Sequence, residues 1–89
     1  MKQSDIEPGF YFEKKNRPGW LRFIVSMHGY WVLYADHVGY GQCTVAALIR
    51  YAKQRYSAQK AVELFPKEVA DIEKVLERGP RVTIGTFIH

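Results

Sequence analysis

Upstream of Tyr56, seven basic and three aromatic side chains carry the clearest chemistry of this chain. Lys14, Lys15 and Arg17 cluster at one turn, Arg22 follows on a strand-like run, and Arg50, Lys53 and Arg55 lie close together further on. Trp20, Tyr30 and Trp31 are interleaved with them, and Tyr11 and Tyr40 are further candidates for partly exposed rings. Ammonium and guanidinium groups neutralise phosphates, and flat rings stack on unpaired bases or fill apolar sockets on a protein partner. The set therefore points to binding of nucleic acid or of an acidic protein surface. Lys14, Lys15, Arg17, Arg22, Arg50, Lys53 and Arg55 would supply the electrostatic footprint. Trp20, Tyr30 and Trp31 would supply stacking or partner contacts.

Groups suited to bond-making chemistry are sparse. Cys43 with His37 or His28 could form a thiolate pair, but no third group that would orient the histidine is evident. A position just before a helix lowers a thiol pKa, yet a lone cysteine there is more often a small buried hydrophobe. His28, His37, His89 and Cys43 lack the close pairing of a zinc site. Asp36 stands alone in a turn. Glu68, Asp71 and Glu73 read as the solvated first turns of a helix. Gly39-Tyr40-Gly41 lacks the G-x-x-x-x-G-K-[ST] pattern of a phosphate cradle and reads as a turn or bulge. The expectation is a protein with no catalytic residue, metal or cofactor. An enzyme built on a reactive Cys43 ranks third among the functional readings.

These side chains must be held by a small fold. The 89 residues make one domain, which buries roughly 60–65% of its unfolded surface. Phe10 to Lys14, Trp20 to Met27 and Trp31 to Ala35 alternate as strands do. Leu21, Phe23, Val25 and Met27 are the expected core side of the second run, with Trp20, Arg22, Ile24 and Ser26 on the other. Asn16-Arg17-Pro18-Gly19 suits a type II turn, His28-Gly29 a two-residue hairpin loop, and Asp36-His37-Val38-Gly39 a further turn. Tyr40 to Cys43 is a short fourth strand.

Thr44 is an expected N-cap. After it, Val45, Leu48, Ile49, Ala52 and Tyr56 fall on one helical stripe, which predicts a helix to Tyr56 with Arg50, Lys53 and Gln54 on another face. Ser57 caps a second helix over 58–64. Pro66 opens a third, with Val69, Ile72, Val75 and Leu76 inward and Gly79-Pro80 at its end. Arg81 to Ile88 reads as a last strand with Val82, Ile84 and Phe87 inward. The fold class is α+β: a small curled antiparallel sheet, SH3-like and of three to five strands, packed by one helix. A C-terminal helical segment and last strand are added. In outline, 1–43 is a β-meander, 44–78 helical and 81–88 the last strand.

Charge sharpens the division. Residues 1–60 hold nine basic side chains against four acidic ones, and residues 61–89 hold four against five. The front of the chain is the part expected to meet an anion. The single cysteine excludes an internal disulfide framework, and no apolar stretch resembles a signal peptide or a membrane span. A cytoplasmic location is expected, with no membrane partner.

At Ile6-Glu7-Pro8-Gly9, Val32-Leu33-Tyr34 and Gly39-Tyr40-Gly41-Gln42-Cys43 the chain resembles a group of small uncharacterised phage and prophage proteins with an SH3-like curled β-module. The shared pattern is an opening Ile-x-Pro-Gly, a strand ending in Val-x-Tyr, and Gly-Tyr-x-x-Cys before a short helix. It covers roughly residues 6–55, and the chain departs from it after Tyr56. The resemblance implies a small accessory protein of a mobile element that binds host or phage macromolecules, host defence complexes included. It brings no catalytic residues with it.

Overall fold

Tight reversals fold the front of the chain into a meander. The computed structural model describes residues 1–79, so the strand expected over 81–88 lies outside the described residues. Strands β1 (Tyr11–Lys14), β2 (Leu21–His28), β3 (Trp31–Ala35) and β4 (Tyr40–Thr44) pair in sequence, each antiparallel to the one before. Helix α1 (Val45–Tyr51) follows, then strand β5 (Ala52–Tyr56), which returns to the free edge of β1. The sheet has five strands in the order β4-β3-β2-β1-β5. Helices α2 (Ala58–Leu64) and α3 (Pro66–Arg78) complete the described chain. This is the expected α+β class, an antiparallel sheet packed by helices.

The expected helix to Tyr56 stops at Tyr51, and residues 52–56 form a strand instead. Local propensity favours helix there, since Ala, Lys, Gln and Arg are good helix formers. Pairing decides otherwise. β1 carries Tyr11, Phe12 and Glu13, all buried, and its outer N–H and C=O groups would be orphaned without β5. The Lys15 N–H donates to the Tyr51 carbonyl at 2.9 Å, taking an acceptor that a longer helix would have used. Arg50 therefore lies on the helix, whereas Lys53 and Arg55 lie on β5, and the three share no helical face. At the start of α1 the expected cap is present: the Ala47 N–H donates to Thr44 Oγ1 at 3.1 Å. Ser57 caps α2 in the same way, through the Lys60 N–H.

Both faces of the sheet are buried. On one, Phe12, Ile24 and Val32 pack with Val45, Leu48 and Ala52. On the other, Tyr11, Leu21 and Ala35 pack with Ala61, Val69, Ile72 and Val75 of α2 and α3. Tyr11 is thus core rather than a surface ring. Ile24, on the side of β2 not expected to be core, is fully buried. Each large apolar side chain so buried contributes about 1.5–3 kcal/mol. The alternation of β2 is interrupted by a bulge at Val25, where the pairing passes from Ile24↔Tyr34 to Ser26↔Leu33. Beyond it the pattern reverses, and Met27 joins the cluster under α1 instead of following Leu21 and Phe23.

The turns place the exposed groups. Arg17 to Trp20 is a hydrogen-bonded β-turn with Pro18 and Gly19 at its centre, and Gly19 has φ 85°, as a type II turn requires. The β2–β3 hairpin turns at Gly29 and Tyr30 rather than at His28 and Gly29. His28 still pairs with Trp31, and only Gly29, with φ 61°, sits in the left-handed region. Tyr30 is therefore carried out to the tip. No helix among the described residues is long and apolar enough to cross a membrane.

Candidate nucleic-acid interface

Two devices bring four of the predicted cations together. The β1–β2 turn carries Lys14, Lys15 and Arg17. A bulge in β5, where the register passes from Glu13↔Gln54 to Lys14↔Ala52, leaves Lys53 without a partner residue and re-aims its side chain. Lys14, Lys15, Arg17 and Lys53, with Glu13, Asn16 and Pro18, line a cleft of about 300 Å³. None of the four cations forms a salt bridge among the described residues.

Glu13 is the one carboxylate in this cleft, and its oxygens already have donors. The Gly19 N–H donates to Oε2 at 3.1 Å, and the Tyr56 hydroxyl donates to Oε1 at 3.0 Å. Only 5% of the residue is exposed. It ties the β1–β2 turn to β5, so the floor of the cleft is braced from within. Burial, reinforced by this carboxylate, pushes the Tyr56 hydroxyl above the ordinary tyrosine pKa.

Arg22 adjoins this group but is not free. Its guanidinium carbon lies 4.1 Å from the ring centre of Tyr34 and 3.9 Å from that of Tyr51, and Nη1 is 3.8 Å from Cys43 Sγ. Lys14 Nζ is 5.3 Å from the centre of the same Tyr51 ring. Tyr51 is thus flanked by two cations, and its hydroxyl donates to the Trp20 carbonyl at 3.2 Å. Burial still dominates its ionisation: the Tyr51 pKa is pushed up to about 12, with Arg22 pulling the other way. Gly41 faces Tyr34 across the β3–β4 ladder, and a Cβ there would lie 2.5 Å from the tyrosine oxygen. Gly41 is therefore a clearance for the ring that holds Arg22, whereas a Cβ at Gly39 would meet nothing within 4 Å.

The remaining predicted residues lie elsewhere. Arg55 is spent on the fold: it bridges Glu7 at 3.5 Å, donates to the Asp5 carbonyl at 3.1 Å and lies over Phe10. Arg50 is exposed on α1 and does not line the cleft. Trp20 stands beside the cleft, 40% exposed, with the Arg17 guanidinium 4.2 Å from its ring centre and His37 edge-on at 5.0 Å. Tyr30 and Trp31, 77% and 54% exposed, sit at the far end of β2. Eight residues of strand separate the two ends, roughly 25 Å.

Cys43 is half-buried. Burial raises its thiol pKa, more than Arg22 lowers it. Among the described residues, no group of three or more His, Cys, Asp and Glu side chains could hold a metal ion. No family model matches the chain, and neither does any curated protein or solved structure.

Sequence reasoning did not single out Glu13, Tyr34, Tyr51 or the cleft side of α3. Glu13 alternates with Phe12 and so belonged to the presumed outer side. Its one signal was its neighbour Tyr11, a large ring on the same side. Glu68 and Asp71, expected on a solvated face, are half-buried beside Trp20, whereas Glu73 is exposed as expected.

Proposed function

We propose that this protein is a non-catalytic binding module that contacts nucleic acid through the surface around the β1–β2 turn. The observation that carries this reading is the cleft in which Lys14, Lys15, Arg17 and Lys53 converge without a salt bridge among the described residues, while each Glu13 oxygen already accepts a hydrogen bond. Like charges held together by the β1–β2 turn and the β5 bulge repel one another, and a phosphodiester relieves that repulsion while releasing its own counterions. Arg22 and Lys14 extend the positive surface along Tyr51. Arg50 and Arg55 are left out of the footprint.

The test is a salt series with labelled single-stranded and duplex oligonucleotides. If each of the four cations neutralises one phosphate, log K against log salt has a slope of roughly −2.8 on a single strand and −3.6 on a duplex. Absence of binding at the lowest salt removes the reading.

A second reading, a protein-binding inhibitor or adaptor acting on a host complex, draws on Tyr30 and Trp31, two exposed rings at one hairpin. It predicts affinity for a host protein that ignores salt and is lost on Trp31→Ala. A phage or mobile-element origin rests on the resemblance over residues 6–55, and a cytoplasmic site of action on the lone cysteine.

A further inference from the structure

A second cleft, of about 240 Å³, opens on the other side of the same turn. Pro18 lines both. Besides Gly19, Leu21 and Ile72, its lining changes character: Trp20 and His37 come from the sheet and its loops, Glu68 and Asp71 from α3. The loop that carries His37 is pinned by Asp36, whose Oδ1 accepts from the N–H groups of Val38 and Gly39 at 2.9 and 3.0 Å. Glu68 and Asp71 are one helical turn apart and so project on one side of α3. Both are half-buried, and neither forms a salt bridge among the described residues.

The two clefts therefore sort a nucleotide by chemistry. The first attracts phosphate. The second repels it, because its carboxylates are acceptors only, but it offers a large ring and two acceptors to a group that is flat and donates hydrogen bonds. A base is such a group, and only an unpaired one presents its ring face and its pairing edge at the same time. Arg17 links the two sites: it lines the first cleft while its guanidinium lies over the Trp20 ring. A phosphate that engages Arg17 draws the cation off that ring face and frees it for stacking.

Resting on the nucleic-acid reading above, we infer that the ligand is single-stranded. Its phosphate lies in the Lys14, Lys15, Arg17 and Lys53 cleft. The adjoining base lies against Trp20 with its exocyclic amino group donated to Glu68 and Asp71. Cytosine, adenine and guanine carry such a group, and carboxylates accept well from the cytosine amine. Thymine and uracil place carbonyl oxygens on either side of their one N–H, which face the carboxylates unfavourably. The surface thus discriminates between strands of identical charge.

The experiment compares oligo(dC), oligo(dT) and a duplex of equal length at neutral pH and fixed low salt. Anisotropy reports affinity for the unmodified protein. Emission of the Trp31→Phe protein reports on Trp20 alone, since the chain has two tryptophans. The expected result is Trp20 quenching by oligo(dC) and affinity ~10-fold above that for oligo(dT). The Glu68→Gln, Asp71→Asn double variant is expected to bring the two strands to near-equal affinity, chiefly by tightening oligo(dT), with the salt slope unchanged. Equal affinities in the unmodified protein overturn the inference and leave the nucleic-acid reading standing. So does tighter duplex binding with Trp20 emission unmoved. Failure of all three ligands to bind removes both.

Discussion

At the end of the sheet where β1 turns into β2, rings and cations are matched: Arg17 over Trp20, Lys14 over Tyr51, Arg22 over Tyr51 and Tyr34. At the other end, where β2 turns into β3, Tyr30 and Trp31 are more exposed than Trp20, and no cation among the described residues lies over either ring. Composition alone makes the two ends look alike, since each offers aromatic side chains to solvent. Their pairing separates them. A ring held under a guanidinium is oriented before any ligand arrives, and its cation gathers charge at the same spot. A bare ring offers only apolar area. On the function proposed above, the β1–β2 end takes an anion with a flat group attached, and the β2–β3 tip takes an apolar surface.

The largest effect expected from this contrast is on binding. Replacing Lys14, Lys15, Arg17 and Lys53 together by Gln is expected to weaken oligonucleotide binding by on the order of 100-fold at low salt and to flatten the salt slope. Tyr30→Ala with Trp31→Ala is expected to leave both unchanged. A loss confined to the Tyr30→Ala, Trp31→Ala protein would reverse the assignment of the two ends.

Next comes a separation of roles within the hairpin end. Arg22→Gln removes a half-buried guanidinium stacked on two rings and is expected to cost about 1–3 kcal/mol in denaturant unfolding. Arg17→Gln, at an exposed residue, is expected to cost less than 1 kcal/mol there while weakening nucleic-acid binding. Equal stability losses at the two positions would show that both are structural. Gly41→Ala sharpens the same point from across the ladder. The added methyl meets the Tyr34 ring, and displacing that ring is expected to cost about 1–2 kcal/mol by loosening the seat of Arg22.

The smallest effect expected is alkaline. Burial raises the Tyr51 pKa from 10.0 to about 12, so the folded state favours the neutral hydroxyl. That contribution is complete below the ordinary tyrosine pKa of 10.0 and is lost as the pH climbs toward about 12. Tyr11, Tyr34 and Tyr56 shift in the same direction. Unfolding midpoints followed from neutral to alkaline pH are expected to fall in that window, and less so in Tyr51→Phe. An equal fall in the variant would mean that Tyr51 is not among the groups responsible.

The hairpin end was more legible in the sequence than the cleft it forms. Alternation in Phe10 to Lys14 and Trp20 to Met27, with Pro18 and Gly19 between them, is a local signal, and the strands and turn follow it. β5 was hidden because Ala52 and Tyr56 happen to extend the helical stripe of Val45, Leu48 and Ile49. The need that overrides this belongs to β1, forty residues upstream in the chain, whose unpaired edge leaves no trace in the sequence around Lys53. Without β5 there is no bulge, so the convergence of Lys53 with Lys14 and Lys15 could not be read from spacing. The same holds for Arg22. Its exposed-looking alternation gave no hint that Tyr34 and Tyr51, from two other elements, close over it. Glu68 and Asp71 follow ordinary helix-dipole logic at the start of α3, and only the packing of α3 places them in one cleft with Trp20.

The most direct test of the central claim is a map of amide chemical-shift changes in the isotopically labelled protein as a short single-stranded oligonucleotide is added at low salt. Changes concentrated at Glu13 to Leu21 and at Ala52 to Gln54, with Gly29 to Val32 unmoved, are predicted. Changes concentrated at Gly29 to Val32, with the β1–β2 turn silent, would contradict the account.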